Sequence, residues 1–475
     1  MNDSPKQAPP TVLAAQSAIA EMTERHGSNY RWLATITAMT GTLTTLMAAT
    51  ILNIVVPQVM ETFAIPQSSA QWMLTGFLTA MTTAMLAAAW AMQTFGLRKA
   101  YRIGMGLFIF GSAIGATAQN FPWLVLGPIF QGLAAGLIVP MAMIVLYEVF
   151  PAEKRGKGMG LYGLGAVLGP SLAPVIGGFV VDWLSWWGVF VVVLPPAVVG
   201  LAMSRYLRGP LNDKPERLDF IGLGLLASGL LIFLWVTSRA NLVGWHHWEV
   251  WTGLAGVCAL VCGFLLRLKT AQAPILAPAV FSSRLFTAGF VLSAAVGAAL
   301  FGTLYLVPLF LQLVPEMGPR TAGLSLLPAG LSMALTFPLA GYLNDRFNPR
   351  NIVLAGLALI LVPLALFSFS LEAHLAEVMI TLAISRIGLA LVMPSLTAGS
   401  LRALPPALIF QGAGAINFAR QLGGALGVAG TSLLVETAPT AASGYQRGFL
   451  GLFVLVGLAA ITLITLGKTD QSTLG

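Results

Sequence analysis

GAVLGPSLAPVIGG, residues 165–178, is the stretch of this sequence that most restricts the fold. It concentrates six glycines and prolines within one apolar run: Gly165, Gly169, Pro170, Pro174, Gly177 and Gly178. Gly165 and Gly169 stand four residues apart on one helix face, which lets a second backbone approach closely. The two prolines weaken the helical hydrogen-bond ladder. The stretch therefore predicts a membrane helix that rocks or bends at an interface, although tight packing alone explains the same residues.

Apolar runs of this length recur along the whole chain. Of 475 residues, 57% are hydrophobic and 9% are charged, whereas a soluble domain carries about 25% charged residues. Each run is long enough to cross the ~30 Å hydrocarbon core of a bilayer as a helix. The sequence predicts an all-α polytopic membrane protein with 14 spans: 32–56, 71–92, 101–119, 122–147, 159–181, 187–205, 219–238, 248–267, 287–312, 321–343, 351–371, 376–398, 407–434 and 447–466.

The basic residues predict the orientation. The tails and the even-numbered connections hold 20 of the 25 Lys and Arg, the odd connections hold Arg239, Arg320 and Arg447, and Arg386 and Arg420 fall inside spans. Lys and Arg concentrate in cytoplasmic loops, so both termini are expected in the cytoplasm. The same bias explains the net charge of +8 through contact with anionic lipids, without any nucleic acid.

Enzyme chemistry has no support in the sequence. The four histidines lie in tails or loops, and Cys258 and Cys262 lack the partners that a metal site or a disulfide framework needs. No cofactor, metal site or catalytic residue is expected. Residues 1–31 are polar before the first span and predict a retained cytoplasmic tail.

The chain repeats itself. The loop after span 2, AWAMQTFGLRK (89–99), corresponds to GYLNDRFNPR (341–350) after span 10, and QGLAAGLIVP (131–140) in span 4 corresponds to SRIGLALVMP (385–394) in span 12. Repeated halves of this kind favour alternating access around a site between them. The sequence predicts five parts of the chain: an N-terminal tail 1–31, a six-helix bundle 32–205, a charged loop with linker helices 7 and 8 at 206–270, a second six-helix bundle 271–467, and a C-terminal tail 468–475.

These segments together resemble the fourteen-span drug:proton antiporters of the EmrB and QacA type, within the major facilitator superfamily. The run 165–178 is similar to the antiporter motif of exporters in that superfamily, and SWWGVFVVVLPPAVVG (185–200) and INFARQLGGALGVA (416–429) match later pieces. The resemblance covers residues 32–466. It implies a major facilitator fold of two six-helix bundles with two inserted linker helices.

The resemblance also implies gating loops between the halves. Gly341, Asp345, Arg346 and Arg350 resemble the cytoplasmic gating motif, in which a carboxylate bonds to guanidinium groups in one conformation and releases them in the other. Orientation by the positive-inside rule is the alternative explanation for this basic loop. The loop of the first half keeps Gly96, Arg98 and Lys99 but has Gln93 where the family places an aspartate, which predicts a weaker or differently built latch.

Two other departures concern ion coupling. Ala48 stands in span 1 where relatives typically carry an aspartate, and Pro128 stands in span 4 where they often carry an arginine. A buried charge without its partner is strongly disfavoured, so their joint absence indicates that coupling has moved or disappeared. Glu148 and Arg386 are the coupling candidates, and Asp182 and Glu436, near outer helix ends, are further possible protonation sites. Solvation at a helix end is the competing explanation for the three carboxylates, and pairing with Glu377 or backbone carbonyls is the alternative for Arg386.

A mostly apolar pocket with a few polar groups is expected between the halves. Its candidate lining residues are polar or aromatic side chains on inward faces: Asn53, Trp72, Gln131, Tyr162, Tyr305, Gln312, Gln411, Asn417, Phe418 and Arg420. For each of them, an interhelical hydrogen bond or ordinary packing is the alternative, and for Arg420 it is snorkelling or capping. Arg420 is nonetheless a strong candidate, because a charge at membrane depth normally faces a cavity or a partner.

The resemblance implies export of amphipathic or hydrophobic small molecules across a bacterial inner membrane, driven by an ion gradient. A facilitator, or a specialised exporter of a siderophore or lipid-like metabolite, is the alternative that the lost aspartate supports. A receptor that moves nothing is a third reading. The expected partners are a small amphipathic substrate, membrane lipids and, for an exporter of this type, a periplasmic adaptor with an outer-membrane channel.

Overall fold

Long helices account for most of the chain in the computed structural model, which describes residues 21–469 except 26, 66, 71, 209–216, 314–324 and 370–374. Within these residues we number the long helical segments α1 to α14: Tyr30–Phe63, Trp72–Phe95, Leu97–Ala116, Phe121–Val149, Arg155–Leu184, Gly188–Tyr206, Phe220–Val243, Trp248–Thr270, Arg284–Leu313, Leu327–Arg346, Pro349–Phe369, Leu375–Arg402, Ile409–Glu436 and Ala441–Thr469. The sixth consists of two α-helical pieces and a short 3₁₀ turn.

Apolar composition explains why these segments are helices. Where no water is available, a helix satisfies its backbone groups internally. Among the described residues, ten of the segments are long and apolar enough to cross a membrane by length and composition. The other four, α3, α5, α10 and α13, carry more glycine, hydroxyl or charged residues and pack against neighbours within the bundle.

The first six helices share one large core. Phe77 of α2, Phe108 of α3 and Phe190 of α6 are almost completely buried in it. The hydroxyl of Tyr101 on α3 donates to the carbonyl oxygen of Thr37 on α1 at 2.8 Å, which fixes these two helices to each other.

A second core lies among the last six helices. The rings of Phe367 on α11 and Phe449 on α14 stack with centroids 4.8 Å apart, and Phe310 of α9 meets Tyr445 of α14 edge-on at 5.8 Å. The chain therefore buries its apolar side chains mainly in two clusters, and the first of them extends beyond the first six helices to residues such as Phe286 of α9 and Phe418 of α13.

Helices α7 and α8 form a hairpin at the edge of the first core, which includes Phe264 of α8 and packs against Leu223 of α7. The carboxylate of Asp219 caps α7 by accepting from the backbone N–H of Gly222 at 3.0 Å, and it accepts from Nε of Arg267 on α8 at the same distance. At the opposite end, Arg239 and Glu249 are 2.7 Å apart. The hairpin is thus pinned at both ends, and α7 packs against α2.

The predicted spans overlap the observed helices, but several ends differ, most at the end of α1 and at the start of α14, which begins at Ala441 and not at 447. Span 1 was predicted to end at Val56, before Pro57, whereas α1 continues through Pro57 to Phe63. A proline removes one N–H without ending a membrane helix, because neighbouring groups satisfy the freed carbonyl. Most of the predicted tails, 1–31 and 468–475, and much of the loop 206–218 lie outside the described residues.

Candidate functional site

The contact between α5 and α10 joins the early and late helices at one end of the bundle. The carboxylate of Asp345, at the end of α10, accepts from the backbone N–H of Gly156 at 2.7 Å and from that of Lys157 at 2.9 Å. These amides belong to the first turn of α5, where unpaired N–H groups and the helix dipole favour a negative charge. We use the name α5–α10 latch for the group formed by Gly156, Lys157, Gly341 and Asp345.

Glycine permits this latch. A Cβ on Gly341 would lie 2.6 Å from the carbonyl oxygen of Gly156, and a Cβ on Gly160 would lie 2.7 Å from that of Phe337. These distances are shorter than real side chains accept, so the two backbones meet only because neither has a side chain there. One face of α5 is therefore devoted to α10.

The predicted gating residues take different roles from those expected. Asp345 bonds to backbone amides, where guanidinium groups were predicted, and it interacts electrostatically with Lys157 and Arg402. The exposed guanidinium of Arg346 lies over the ring of Tyr342, 4.4 Å from its centroid, and the backbone N–H of Arg350 donates to Asn348 at 3.0 Å. The start of α5 presents two backbone N–H groups to this carboxylate, which is the arrangement in which helix N-termini bind anions.

The equivalent loop of the first half is built differently. Gly96 has φ of 73° and precedes α3, a left-handed backbone conformation that favours glycine. Lys99 is exposed, while the side-chain oxygen of Gln93 and Nε of Arg98 are buried without a hydrogen-bond partner in the described part of the chain. Among the described residues, no carboxylate joins this loop to the late helices as Asp345 joins α10 to α5.

The glycines of the antiporter-like run pack on α1, whereas Val167 of the same run packs against the core of the last six helices. A Cβ on Gly169 would lie 2.7 Å from the carbonyl oxygen of Leu43, and one on Gly177 would lie 2.6 Å from Ile54, whereas Gly178 faces open space. Gly165 is less crowded, 3.4 Å from Met39. Close backbone approach is thus present as predicted for Gly169, but within the first six helices. Pro170 is half-buried, and the side chain of Pro174 lies outside the described part.

Three of the predicted lining residues come together between the halves. Asn417 on α13 is buried, and its side-chain oxygen accepts from the hydroxyl of Tyr162 on α5 at 3.4 Å and from Nη2 of Arg420. Its amide nitrogen donates to the Met143 sulfur on α4 at 3.5 Å. We call Met143, Tyr162, Asn417 and Arg420 the inter-half cluster. It links α4 and α5 to α13, and no carboxylate forms a salt bridge with Arg420 among the described residues.

A cavity of about 450 Å³ lies between α2, α7, α9 and α13, and Gln421 is one of its α13 lining residues. Tyr305 is the predicted lining residue that faces it, with its hydroxyl 3.3 Å from that of Ser432. The cavity is lined by Thr75, Leu78, Thr79, Thr82, Leu230, Leu234, Thr237, Ser238, Phe301, Tyr305, Gln421, Leu422, Gly424, Ala425, Val428, Ala429 and Ser432. The volume suits a small organic molecule.

The remaining lining candidates lie elsewhere. Gln131 donates to the hydroxyl of Ser112 on α3 at 2.9 Å, and Phe418 is buried in the first core. Asn53 is exposed and donates to the Thr50 carbonyl on its own helix at 3.3 Å. Trp72 is exposed at the start of α2, and the side-chain oxygen of Gln411 is buried without a partner in the described part. The side chain of Gln312 lies outside the described residues.

The two coupling candidates, Glu148 and Arg386, lie in different surroundings. Glu148 is half-buried near the end of α4 and interacts electrostatically with Arg155, at the same end of the bundle as the latch. Arg386 is buried on α12, where Nη1 donates to the backbone carbonyl of Leu300 on α9 at 3.3 Å. Of the two partners proposed for Arg386, this bond supports the backbone carbonyl.

Sequence reasoning missed the glycine face of α5. Gly156 and Gly160 stand four residues apart, which is the spacing of Gly165 and Gly169. The run RGKGMGLYG (155–163) therefore contains the same indication of close backbone approach. Asn344, whose two amide atoms are buried without a hydrogen-bond partner in the described part, and Phe337 were also missed. Nothing in their spacing distinguishes them from ordinary helix residues.

Comparison with known proteins places this two-core helical architecture. The sequence profile of the Major Facilitator Superfamily matches residues 38–428. The fold is similar to that of the proton:xylose symporter XylE, with a TM-score of 0.67 at 16% identity over 92% of this chain and 96% of that one. The human organic anion transporter MFSD10 aligns with a TM-score of 0.63 at 17% identity, over 90% and 99% of the two chains. The chain belongs to the Major Facilitator Superfamily and is a membrane transporter, not an enzyme.

Curated relatives include drug-resistance proteins. The chain is 30% identical to an uncharacterized MFS-type transporter, YcnB of Bacillus subtilis, over 84% of each protein. It is 30% identical to the multidrug resistance protein B homolog of Mycobacterium tuberculosis, over 78% of this chain and 70% of the relative. It is 27% identical to the lincomycin resistance protein LmrB of Listeria monocytogenes, over 81% and 82% of the two chains.

Proposed function

We propose that this transporter exports amphipathic or hydrophobic small molecules across a bacterial inner membrane by alternating access. The observation that carries the proposal is the α5–α10 latch, in which one carboxylate ties the start of α5 to the end of α10 through two backbone amides. Such a contact closes one end of the space between the halves and can be exchanged for water when that end opens. Drug-resistance relatives support the substrate class.

The proposed arrangement has 14 spans, both termini in the cytoplasm and the latch at the cytoplasmic end. Bundles 32–205 and 271–467 would then move against each other, with 206–270 as the linker. The distribution of Lys and Arg supports this orientation, because 20 of 25 fall on one proposed side. A reporter that works only in the cytoplasm is expected to be active when fused at Lys214 or Lys468, and a reporter that works only in the periplasm is expected to be inactive at both positions.

Substrate binding is assigned to the space between the halves beside the inter-half cluster. Arg420 and Tyr162 provide donors there, and the surrounding side chains are largely apolar, which suits amphipathic molecules. A periplasmic adaptor and an outer-membrane channel remain candidate partners for an exporter of this kind.

The experiment is transport in proteoliposomes that hold the full chain at known density. Accumulation of a labelled amphipathic drug inside inverted vesicles, at a rate proportional to protein, supports export. Bilayer-limited leakage with every compound of a chemically varied panel would contradict it.

A facilitator or a specialised metabolite exporter is the second candidate. Ala48, where relatives carry the aspartate, is 1% exposed, so the site offers neither a charge nor space for one without rearrangement. Transport that equilibrates substrate but never concentrates it under a pH gradient would favour the facilitator.

A further inference from the structure

We propose that the cavity between α2, α7, α9 and α13 is a second binding site, which takes uncharged amphipathic molecules and has the linker helix α7 as its outer wall. This inference rests on the proposed function only in treating the occupant as a transported molecule. The site itself is argued from its volume, its lining and one unpartnered hydroxyl.

The position of the cavity distinguishes it from the inter-half cluster. On α13, Asn417 and Arg420 turn toward α4 and α5, whereas Gln421, Gly424 and Val428 line the cavity toward α2 and α7. The same helix therefore presents a charged face to one space and a neutral face to the other. The two spaces meet near Gln421, whose amide lies 3.8 Å from the Met81 sulfur on α2.

The lining selects against charge. Within the described residues that line the cavity there is no Asp, Glu, Lys, Arg or His. An ionised ligand would lose its hydration without gaining a counter-charge, which is strongly unfavourable in such surroundings. A neutral molecule loses much less and gains from the leucine and phenylalanine side chains.

Hydroxyl groups supply the polar contacts. Thr75, Thr79 and Thr82 follow one face of α2, and Thr237 approaches from α7. The hydroxyls of Thr82 and Thr237 already donate to carbonyls of their own helices at 2.7 and 3.0 Å. Thr79 is only 4% exposed, and its hydroxyl is buried without a hydrogen-bond partner in the described part of the chain. An unpaired buried hydroxyl is costly, and a bound ligand with a hydroxyl, amide or ether group would relieve that cost.

The walls are preformed. A Cβ on Gly424 would lie 2.3 Å from the ring of Phe301, so α9 and α13 are in direct contact behind the cavity. The α7–α8 hairpin is pinned by the Asp219–Arg267 and Arg239–Glu249 pairs, which hold the outer wall. The cavity volume of about 450 Å³ is therefore a property of packed helices.

Equilibrium binding tests the site without requiring transport. The full chain in lipid nanodiscs is titrated with two fluorescent probes of similar shape, neutral N-phenylnaphthylamine and anionic anilinonaphthalene sulfonate, after subtraction of empty nanodiscs. The neutral probe is expected to bind saturably with a stoichiometry of one. Thr237→Phe, which fills the cavity from α7, is expected to weaken its binding at least ~10-fold, and Thr79→Val by about 3- to 10-fold.

Two matched variants separate binding from folding. Thr83→Val removes another buried, unpartnered hydroxyl of α2 that does not line the cavity, and Thr252→Phe adds the same ring to an exposed position of α8. Both are expected to bind the neutral probe as the wild type does. Equal weakening by Thr79→Val and Thr83→Val, or stronger saturable binding of the anionic probe that Thr237→Phe abolishes, would overturn the assignment. So would a phospholipid that co-purifies with the wild type and is lost in Thr237→Phe.

The outcomes for the site and for the proposed function are separable. Saturable, Thr237-dependent binding with no drug transport would keep the site and remove the exporter. Drug transport with binding that none of the variants changes would keep the exporter and remove the site.

Discussion

Asp345 is the side chain on which the contact between the two sets of helices most depends. It accepts two backbone N–H groups across the interface at 2.7 and 2.9 Å. Hydrogen bonds to a charged group contribute about 1.5–3 kcal/mol each, and each 1.4 kcal/mol changes an equilibrium tenfold. The two bonds together are thus large enough in free energy to bias an equilibrium between closed and open forms of this contact.

Asp345→Asn is expected to lower the initial transport rate at least ~10-fold, because the amide is uncharged and offers one acceptor where the carboxylate offers two. Gln93→Ala, at the equivalent position of the first half, should change it less than ~2-fold, since the Gln93 oxygen has no partner in the described part. Rates are compared in proteoliposomes of equal protein density. Equal losses in the two variants would contradict the role given to Asp345.

The two arginines within the membrane helices, Arg420 and Arg386, lie in different surroundings and are expected to respond differently to substitution. Arg420 is partly exposed and bonds to Asn417, whereas Arg386 is buried and bonds to a backbone carbonyl. Arg420→Met is expected to reduce transport of anionic amphiphiles at least ~10-fold with little change in Tm, since a cation at membrane depth normally faces a cavity. Arg386→Met should leave transport within ~3-fold and preserve or raise Tm, because apolar groups often replace buried charges without loss. Transport and thermal unfolding of the same preparations provide the comparison, and a Tm loss confined to Arg420→Met would contradict it.

Helix positions were predictable because each follows from the length and apolarity of its own run. The partners of those helices were not. Tyr162 and Asn417 are 255 residues apart, and although both are candidates for one pocket, nothing in either segment predicts that they bond to each other. The antiporter-like run shows the same limit: its glycines predicted close approach, but the sequence contained no information on whether Leu43 or α10 would be the neighbour.

Glycine at position 160 tests the α5–α10 contact at the level of the helix. Gly160→Val would place a side chain against the Phe337 carbonyl, at a point where a Cβ is already only 2.7 Å away. Overpacking of this kind costs about 1–3 kcal/mol, and here separating the helices relieves it. We expect the population with the latch end open to rise at least ~5-fold.

Spin labels on exposed positions near the ends of α5 and α10 report this population as a distance distribution. Gly178→Val, on the same helix where no atom lies within 4 Å of a Cβ, is the matched control and should leave the distribution unchanged. An unchanged distribution in Gly160→Val as well would show that the contact does not govern opening.

The linker hairpin is expected to depend unequally on its two ion pairs. Asp219 is fully buried and also caps α7, whereas Arg239 and Glu249 are partly exposed. Asp219→Ala leaves Arg267 unpaired and α7 uncapped, so unfolding should become easier by about 3 kcal/mol. Arg239→Gln should produce a clearly smaller change, because solvent screens that pair. Thermal unfolding in nanodiscs measures both, and a larger loss for Arg239→Gln would contradict the assignment.

Energy coupling is a property of the complete transport cycle, and Ala48 occupies the position in span 1 where the family resemblance implies an aspartate. Proton-driven export needs a group that changes protonation as the protein moves between its two states. The carboxylates of the first six helices lie near helix ends, and Glu148 is the one that is half-buried at the latch end, close to Arg155. Opening of the latch would change the solvation of Glu148, which is the requirement for a coupling group.

In proteoliposomes with an imposed pH gradient, wild-type protein is expected to concentrate substrate. Glu148→Gln should retain downhill exchange within ~3-fold and lose the gradient dependence, because the amide cannot release a proton. Asp182→Asn, at an exposed position near the opposite end of α5, is the control and should concentrate substrate normally. Uphill flux that persists in Glu148→Gln would remove Glu148 from the mechanism, and wild-type flux that ignores the gradient would identify a facilitator, for which the loss of the span 1 aspartate needs no replacement.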